Sequence, residues 1–137
     1  MIDRRDLMAG IAAAVAQVAN AQARKGGSTK PVFAHDLPDL NLQGWAVTAV
    51  EVVYGPGEES PSHRHPGITV AYVLEGEIRS KVGDAPEKVY KAGEMFLETP
   101  GQLHAVSGNA SNVRQARLLA VLLAKKGEEL TTPAAAR

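Results

Sequence analysis

Gly57-Glu58-Glu59-Ser60-Pro61-Ser62-His63-Arg64-His65 carries two imidazoles at positions i and i+2. In a strand, side chains two apart share one face and lie roughly 7 Å apart along the chain, so both rings can turn onto one ion. Further along, Gly93-Glu94-Met95-Phe96-Leu97-Glu98-Thr99-Pro100-Gly101-Gln102-Leu103-His104 brings in a third imidazole. A lone His-x-His falls together by chance on many surfaces. Two glycine-framed segments of this kind in one β-rich chain are a stronger signal. The chain has no cysteine, so thiolate ligands, disulfides and thiol nucleophiles are excluded. Any metal must rest on His, carboxylates and neutral oxygens.

Outward from these segments the chain reads as short strands broken by turns. Ala46 to Tyr54 is rich in Val and ends at Gly55-Pro56-Gly57. Ile68 to Leu74 closes at Glu75-Gly76-Glu77, and Ile78 to Val82 runs into Gly83-Asp84-Ala85-Pro86. Glu87 to Lys91 leads through Ala92-Gly93 into Glu94 to Glu98, and Leu103 to Ser107 follows the turn at Thr99-Pro100-Gly101. Arg117 to Ala124 is the last apolar run; its Leu content permits a helix, but its length fits a strand better. Turns at regular short intervals with no helical period predict an all-β sandwich or small barrel.

The two histidine segments resemble the motifs of the cupin superfamily. Gly57, His63, His65 and Gly76 match the first motif, with Pro66-Gly67 and Tyr72-Val73-Leu74-Glu75-Gly76 in typical form. Gly93, Gly101 and His104 match the second, while Pro100 and Asn109 each sit one position late and Thr99 takes the usual proline place. The similarity runs from about Ala46 to Ala124. It implies an all-β cupin double-stranded β-barrel, jelly-roll-like, over residues 35–125, with one metal site inside and often a homodimer. His63, His65 and His104 are then the metal ligands, for one divalent transition metal ion per chain. Iron or copper is favoured, with manganese, nickel and zinc as other choices.

The departure from the pattern matters more than the match. The carboxylate ligand of the family falls at Thr69, and no Glu or Asp lies from Pro66 to Leu74. Three neutral imidazoles would leave the full charge of the ion uncompensated, which favours an anionic ligand. By period-two alternation Thr69, Ala71 and Val73 share the inward face, and Phe96 and Gln102 join Ala71 and Val73 as expected pocket wall. Thr69 can orient a water there, or be merely a good strand residue. Glu98 alternates with Phe96 and can be an inward carboxylate, as general base or distal ligand, or a strand-end glutamate facing water. Tyr72 should face away from the metal, Tyr54 and Trp45 read as core or rim packing, and His35 is assigned to no site.

The expected function is an exported mononuclear metal-dependent oxidoreductase, dioxygenase- or oxidase-like, on a small molecule. One alternative is a copper enzyme attacking an extracellular polysaccharide. Others are a non-redox lyase or isomerase with Glu98 as proton-transfer residue, or a non-catalytic cupin binding a small molecule or sugar.

Composition bounds these readings. A chain of 137 residues supports one domain with a modest core. Its 15 basic residues balance 15 acidic ones, which argues against a nucleic-acid face. Residues 1–23 hold Arg4-Arg5, an apolar run from Leu7 to Ala16 and Ala21-x-Ala23, the outline of a twin-arginine-like signal peptide. The run is too short to span a bilayer, so no stable membrane anchor is expected after cleavage, and the location is periplasmic or secreted. Residues 24–34 read as a flexible linker and first strand region. Residues 126–137, polar and then Pro- and Ala-rich, read as a tail that frays.

Overall fold

A computed structural model of the chain describes residues 27–135, so the signal-peptide reading of residues 1–23 lies outside the described part. The described residues fall into two units, divided after Asp36. In the first, residues 27–36 form no strand, although one was expected by residue 34. The segment has no alternating apolar pattern, and Pro31 has no N–H to give a ladder. His35 there bonds through Nδ1 to the Asp36 carbonyl at 2.8 Å. Among the described residues no helix is long and apolar enough to cross a membrane.

The second unit is all-β. Its strands are β1 (Trp45–Tyr54), β2 (Glu59–Ser60), β3 (His63–Arg64), β4 (Ile68–Glu75), β5 (Glu77–Val82), β6 (Lys88–Lys91), β7 (Met95–Glu98), β8 (Leu103–Asn109), β9 (Ala116–Lys125) and β10 (Thr132–Pro133). They make two antiparallel sheets. One is four-stranded in the order β1-β9-β4-β7; the other runs β10-β3-β8-β5-β6, with β2 also paired to β8. The regular alternation along β9 settles its ambiguity: Ala116, Leu118, Ala120, Leu122 and Ala124 are buried and the residues between them are not. A helix would have buried Leu118, Leu119, Leu122 and Leu123 together on one face, whereas here Leu119 and Leu123 are less buried than their neighbours. With Tyr54, Ala71, Val73, Ile78 and Phe96, most of these inward residues form the core between the sheets.

Two glycines place the site. Gly67 lies in the short link that carries the chain from β3 in one sheet to β4 in the other. A Cβ there would stand 1.8 Å from the Leu123 carbonyl oxygen, so only glycine lets the link press against β9. Gly76 makes the reverse crossing between β4 and β5 with φ of 71°, a left-handed conformation that side chains disfavour.

The tail differs most from expectation. Thr132 and Pro133 pair with Arg64 and His63 as strand β10, so the chain after residue 126 returns to the histidine segment rather than fraying. A second departure from regular geometry lies in β8. Lys81 pairs with Val106 but Val82 with His104, leaving Ala105 as an extra residue. His104 and Ser107 are three apart and would face opposite sides of a regular strand; the shift turns both inward.

Candidate metal centre

His63 and His104 are register partners on β3 and β8, which sets their rings 4.8 Å apart, centroid to centroid. The His65 ring stands 4.8 Å from that of His63, at a steep angle. The backbone N–H of Gly101 donates to the His65 carbonyl at 2.9 Å, binding the two glycine-framed segments together. One ligand atom from each of His63, His65 and His104 falls within 4.8 Å of the others. The three imidazoles read from sequence thus converge.

Each ring is held from behind. The Nδ1–H of His63 donates to the Pro61 carbonyl and that of His65 to the Leu130 carbonyl, both at 2.8 Å. A carbonyl only accepts, so the proton sits on Nδ1 and the Nε2 lone pair is free. His104 contacts Ser80 Oγ through Nε2 at 2.8 Å, which leaves its Nδ1 for the cavity. Burial pushes the pKa of His63 below the ordinary 6.5; the bond to Pro61 opposes this, and the imidazoles of His104 and His65 add to it. A neutral His63 at pH 7 has its lone pair available.

Glu98 faces inward. It is 2% exposed, with Oε1 3.1 Å from His104 Nδ1 and Oε2 3.7 Å from His65 Nε2. Its register partner across β7 and β4 is Thr69, itself 1% exposed. A carboxylate therefore stands directly opposite the position where the motif lacks one. Thr69 Oγ1, Glu98 Oε2 and His104 Nδ1 are all buried without a hydrogen-bond partner. Each such orphan costs on the order of 1–3 kcal/mol, and three together at one site call for an occupant. A hydrated divalent cation held by imidazole nitrogens supplies partners to all three kinds of atom, so the donor set fits a transition metal.

The site opens into a cavity of about 450 Å³. Thr69, Ala71, Phe96 and Glu98 lie on its wall together with the three histidines. Two expected wall residues do not. Val73 is fully buried in the core, because four residues of strand carry it about 13 Å from Thr69 along the barrel. The Gln102 side chain accepts the Thr99 N–H at 2.8 Å and so serves the turn. Tyr72 is 37% exposed on the outer face. Tyr54, read as packing, also lines the cavity, and its hydroxyl bonds Ser60 Oγ at 2.6 Å and Ser107 Oγ at 3.0 Å.

Sequence reasoning missed Ser80, that hydroxyl cluster and the segment from Leu130 to Pro133. Ser80 was within reach, since it alternates with Ile78 on an inward face. The contribution of Leu130 is a main-chain carbonyl and leaves no signal in residue type.

The Cupin_2 family model, described as a cupin domain, matches residues 50–122. With the barrel and the motif histidines in place, the chain belongs to this cupin family. A germin-like protein of Arabidopsis thaliana, subfamily T member 3, is 33% identical over 116 residues, covering 80% of this chain and 48% of that protein. The chain thus spans about half the length of that curated relative. Among solved structures, the DMSP lyase DddQ of Ruegeria pomeroyi is similar with a TM-score of 0.56 and 20% identity, covering 64% of this chain and 42% of that one. An uncharacterized conserved protein with a double-stranded β-helix domain from Klebsiella pneumoniae gives 0.53 and 25%, covering 60% and 70%. The oxalate decarboxylase of Lactobacillus farciminis gives 0.54 and 18%, covering 64% and 26%. These likenesses concern the fold.

Proposed function

We propose that this cupin is an exported mononuclear metal-dependent oxidoreductase acting on a small organic molecule. The observation that carries the reading is the buried Glu98 carboxylate set against His65 and His104 beside three converged imidazoles. His63, His65 and His104 would hold the ion, with iron or copper preferred. When bound, such a metal supplies Lewis acidity and a centre for electron exchange with dioxygen or peroxide. The chain's own residues do the rest. Glu98 accepts a proton from the substrate at Oε2, the oxygen that has no other partner. The Thr69 hydroxyl, opposite it, donates to the substrate or to a water beside that oxygen. The apolar wall around Ala71 and Phe96 excludes bulk water and strengthens these polar contacts.

The same carboxylate favours a second reading, a non-redox lyase or isomerase in which Glu98 does all the proton transfer. Attack on a polysaccharide is less well supported, because a cavity of about 450 Å³ suits a small molecule rather than a polymer chain. Export rests on residues 1–23 alone. A homodimer is the expected state; Val47 and Val53, 67% and 51% exposed on β1, offer apolar surface for it.

Elemental analysis of protein purified without added metal is expected to give about one equivalent of transition metal per chain, and under one tenth in His104→Ala. Oxygen- or peroxide-dependent turnover lost in that variant supports the oxidoreductase. Turnover indifferent to both oxidants moves the assignment to the lyase reading, and a metal-free native protein removes both.

A further inference from the structure

The cavity has two polar ends of different chemistry. At one end are the imidazoles, Glu98 and Thr69. Elsewhere on the wall, Tyr54, Ser60 and Ser107 form a cluster of three hydroxyls joined by two contacts, at 2.6 and 3.0 Å. Three O–H groups and two contacts leave one hydrogen and several lone pairs for a ligand. Tyr54 and Ser107 are 6% and 5% exposed, so a polar ligand atom reaching them leaves water behind. Thr69 pairs with Leu122 and Tyr54 with Ala116 along β9, and the wall residues at the levels between them, Val52, Ala71, Phe96, Leu118 and Ala120, are apolar.

No lysine or arginine is among the described residues on this wall. Arg64, flanked by the two histidines, directs its guanidinium to the Gly101 carbonyl at 2.8 Å. A substrate with a second anionic group would therefore bury that charge without a cation. One free hydroxyl hydrogen does not replace the hydration of a carboxylate.

From this division of the wall we infer that the substrate is a small monoanion with an apolar body, one ionised or ionisable oxygen at the histidine end, and a neutral carbonyl or hydroxyl recognised by Tyr54, Ser60 and Ser107. Dicarboxylates too long to place both carboxylates on the ion are the class the site rejects. The inference rests on the metal-enzyme reading above and names the substrate class of that same site.

The test uses the full chain loaded with zinc, a metal that holds the site without redox turnover. Zinc stoichiometry is measured first, then binding of benzoate, 4-hydroxybenzoate and 4-hydroxyphenylacetate by calorimetry, with terephthalate as the dianion. The better of the two hydroxylated acids is expected to bind about fivefold tighter than benzoate, the worth of one good hydrogen bond. Terephthalate, whose second carboxylate cannot reach the ion, is expected to bind at least about tenfold more weakly than benzoate. In Tyr54→Phe, and separately in Ser107→Ala, the hydroxyl preference should vanish while benzoate affinity and zinc stoichiometry hold. The benzoate measurement reports whether each variant has kept its fold. Terephthalate binding as tightly as the monoacids overturns the inference, and so do zinc-loaded protein that binds no probe and hydroxyl preferences that survive both variants. Failure to take up any metal overturns the function reading instead.

Discussion

The two sheets divide the site between them. The sheet containing β3, β8 and β10 supplies every imidazole or its backing: His63 and His104 lie on its strands, and the Leu130 carbonyl just before β10 braces His65. The sheet containing β4, β7 and β9 supplies Thr69, Glu98 and the apolar wall at Ala71, Phe96, Leu118 and Ala120. One sheet builds a place for an ion; the other builds the environment in which it acts. Neither is a site alone. The link through Pro66 and Gly67, and the turn at Gly76, hold the halves at working distance.

The sharpest way to break this arrangement is to widen the link. Gly67→Ala drives a methyl group into the Leu123 carbonyl, a backbone atom that cannot swing aside. A loss of about 3 kcal/mol is expected, read as a drop in the urea midpoint. An unchanged midpoint would mean that the sheets are not locked together there.

Glu98→Gln separates the two contributions. It keeps shape and all three imidazoles but removes the base from the wall. Metal content should stay near one equivalent while turnover falls about 10²- to 10⁴-fold. Metal lost along with turnover would instead make Glu98 a required ligand.

Removal of residues 130–137 tests the imidazole half. It deletes β10 and the carbonyl that fixes the His65 proton on Nδ1. Metal affinity should fall about 10- to 100-fold in competition with a chelator, with the barrel still folded by circular dichroism.

The smallest effect belongs to the outer surface. Arg117 bonds Glu75 at 2.6 Å and Glu51 at 2.7 Å, bridging β9 to both its neighbours. The Arg117 guanidinium, and after it the Gln115 amide, hold the Glu75 carboxyl below the ordinary 4.5. A carboxyl depressed in the folded state stabilises it above its unfolded value, and that stability drains away as the pH falls through the folded one. Arg117→Met should lose a small amount of stability at pH 7, small because the pair is solvent-exposed, and the difference from the parent should vanish as the pH falls below about 4.5, flattening the acid side of the stability curve. A loss in acid as large as that at pH 7 would contradict this.

Much of the fold was legible because strand periodicity is local. Seven of the ten strands coincide within a residue or two with the apolar runs between turn residues, and β9 declares its burial by alternation. The three others, Glu59–Ser60, His63–Arg64 and Thr132–Pro133, have no hydrophobic pattern. They are strands because a partner strand fixes them. The placement of Val73 failed for a related reason: alternation tells which face a residue takes, but not how far along the barrel the cavity ends.

By itself the sequence determined that the protein is β-rich, that imidazoles must carry the ligand work, that His63, His65 and His104 are framed for it, and that Thr69 leaves the usual carboxylate place without charge. Residue type and short spacing are enough for such conclusions. Only the tertiary structure decided that Glu98 enters from the opposite strand to face Thr69, that Leu130 orients His65, and that Tyr54 joins Ser60 and Ser107 on the cavity wall. Each of those depends on register between segments far apart in the chain, or on a main-chain atom that every residue carries alike.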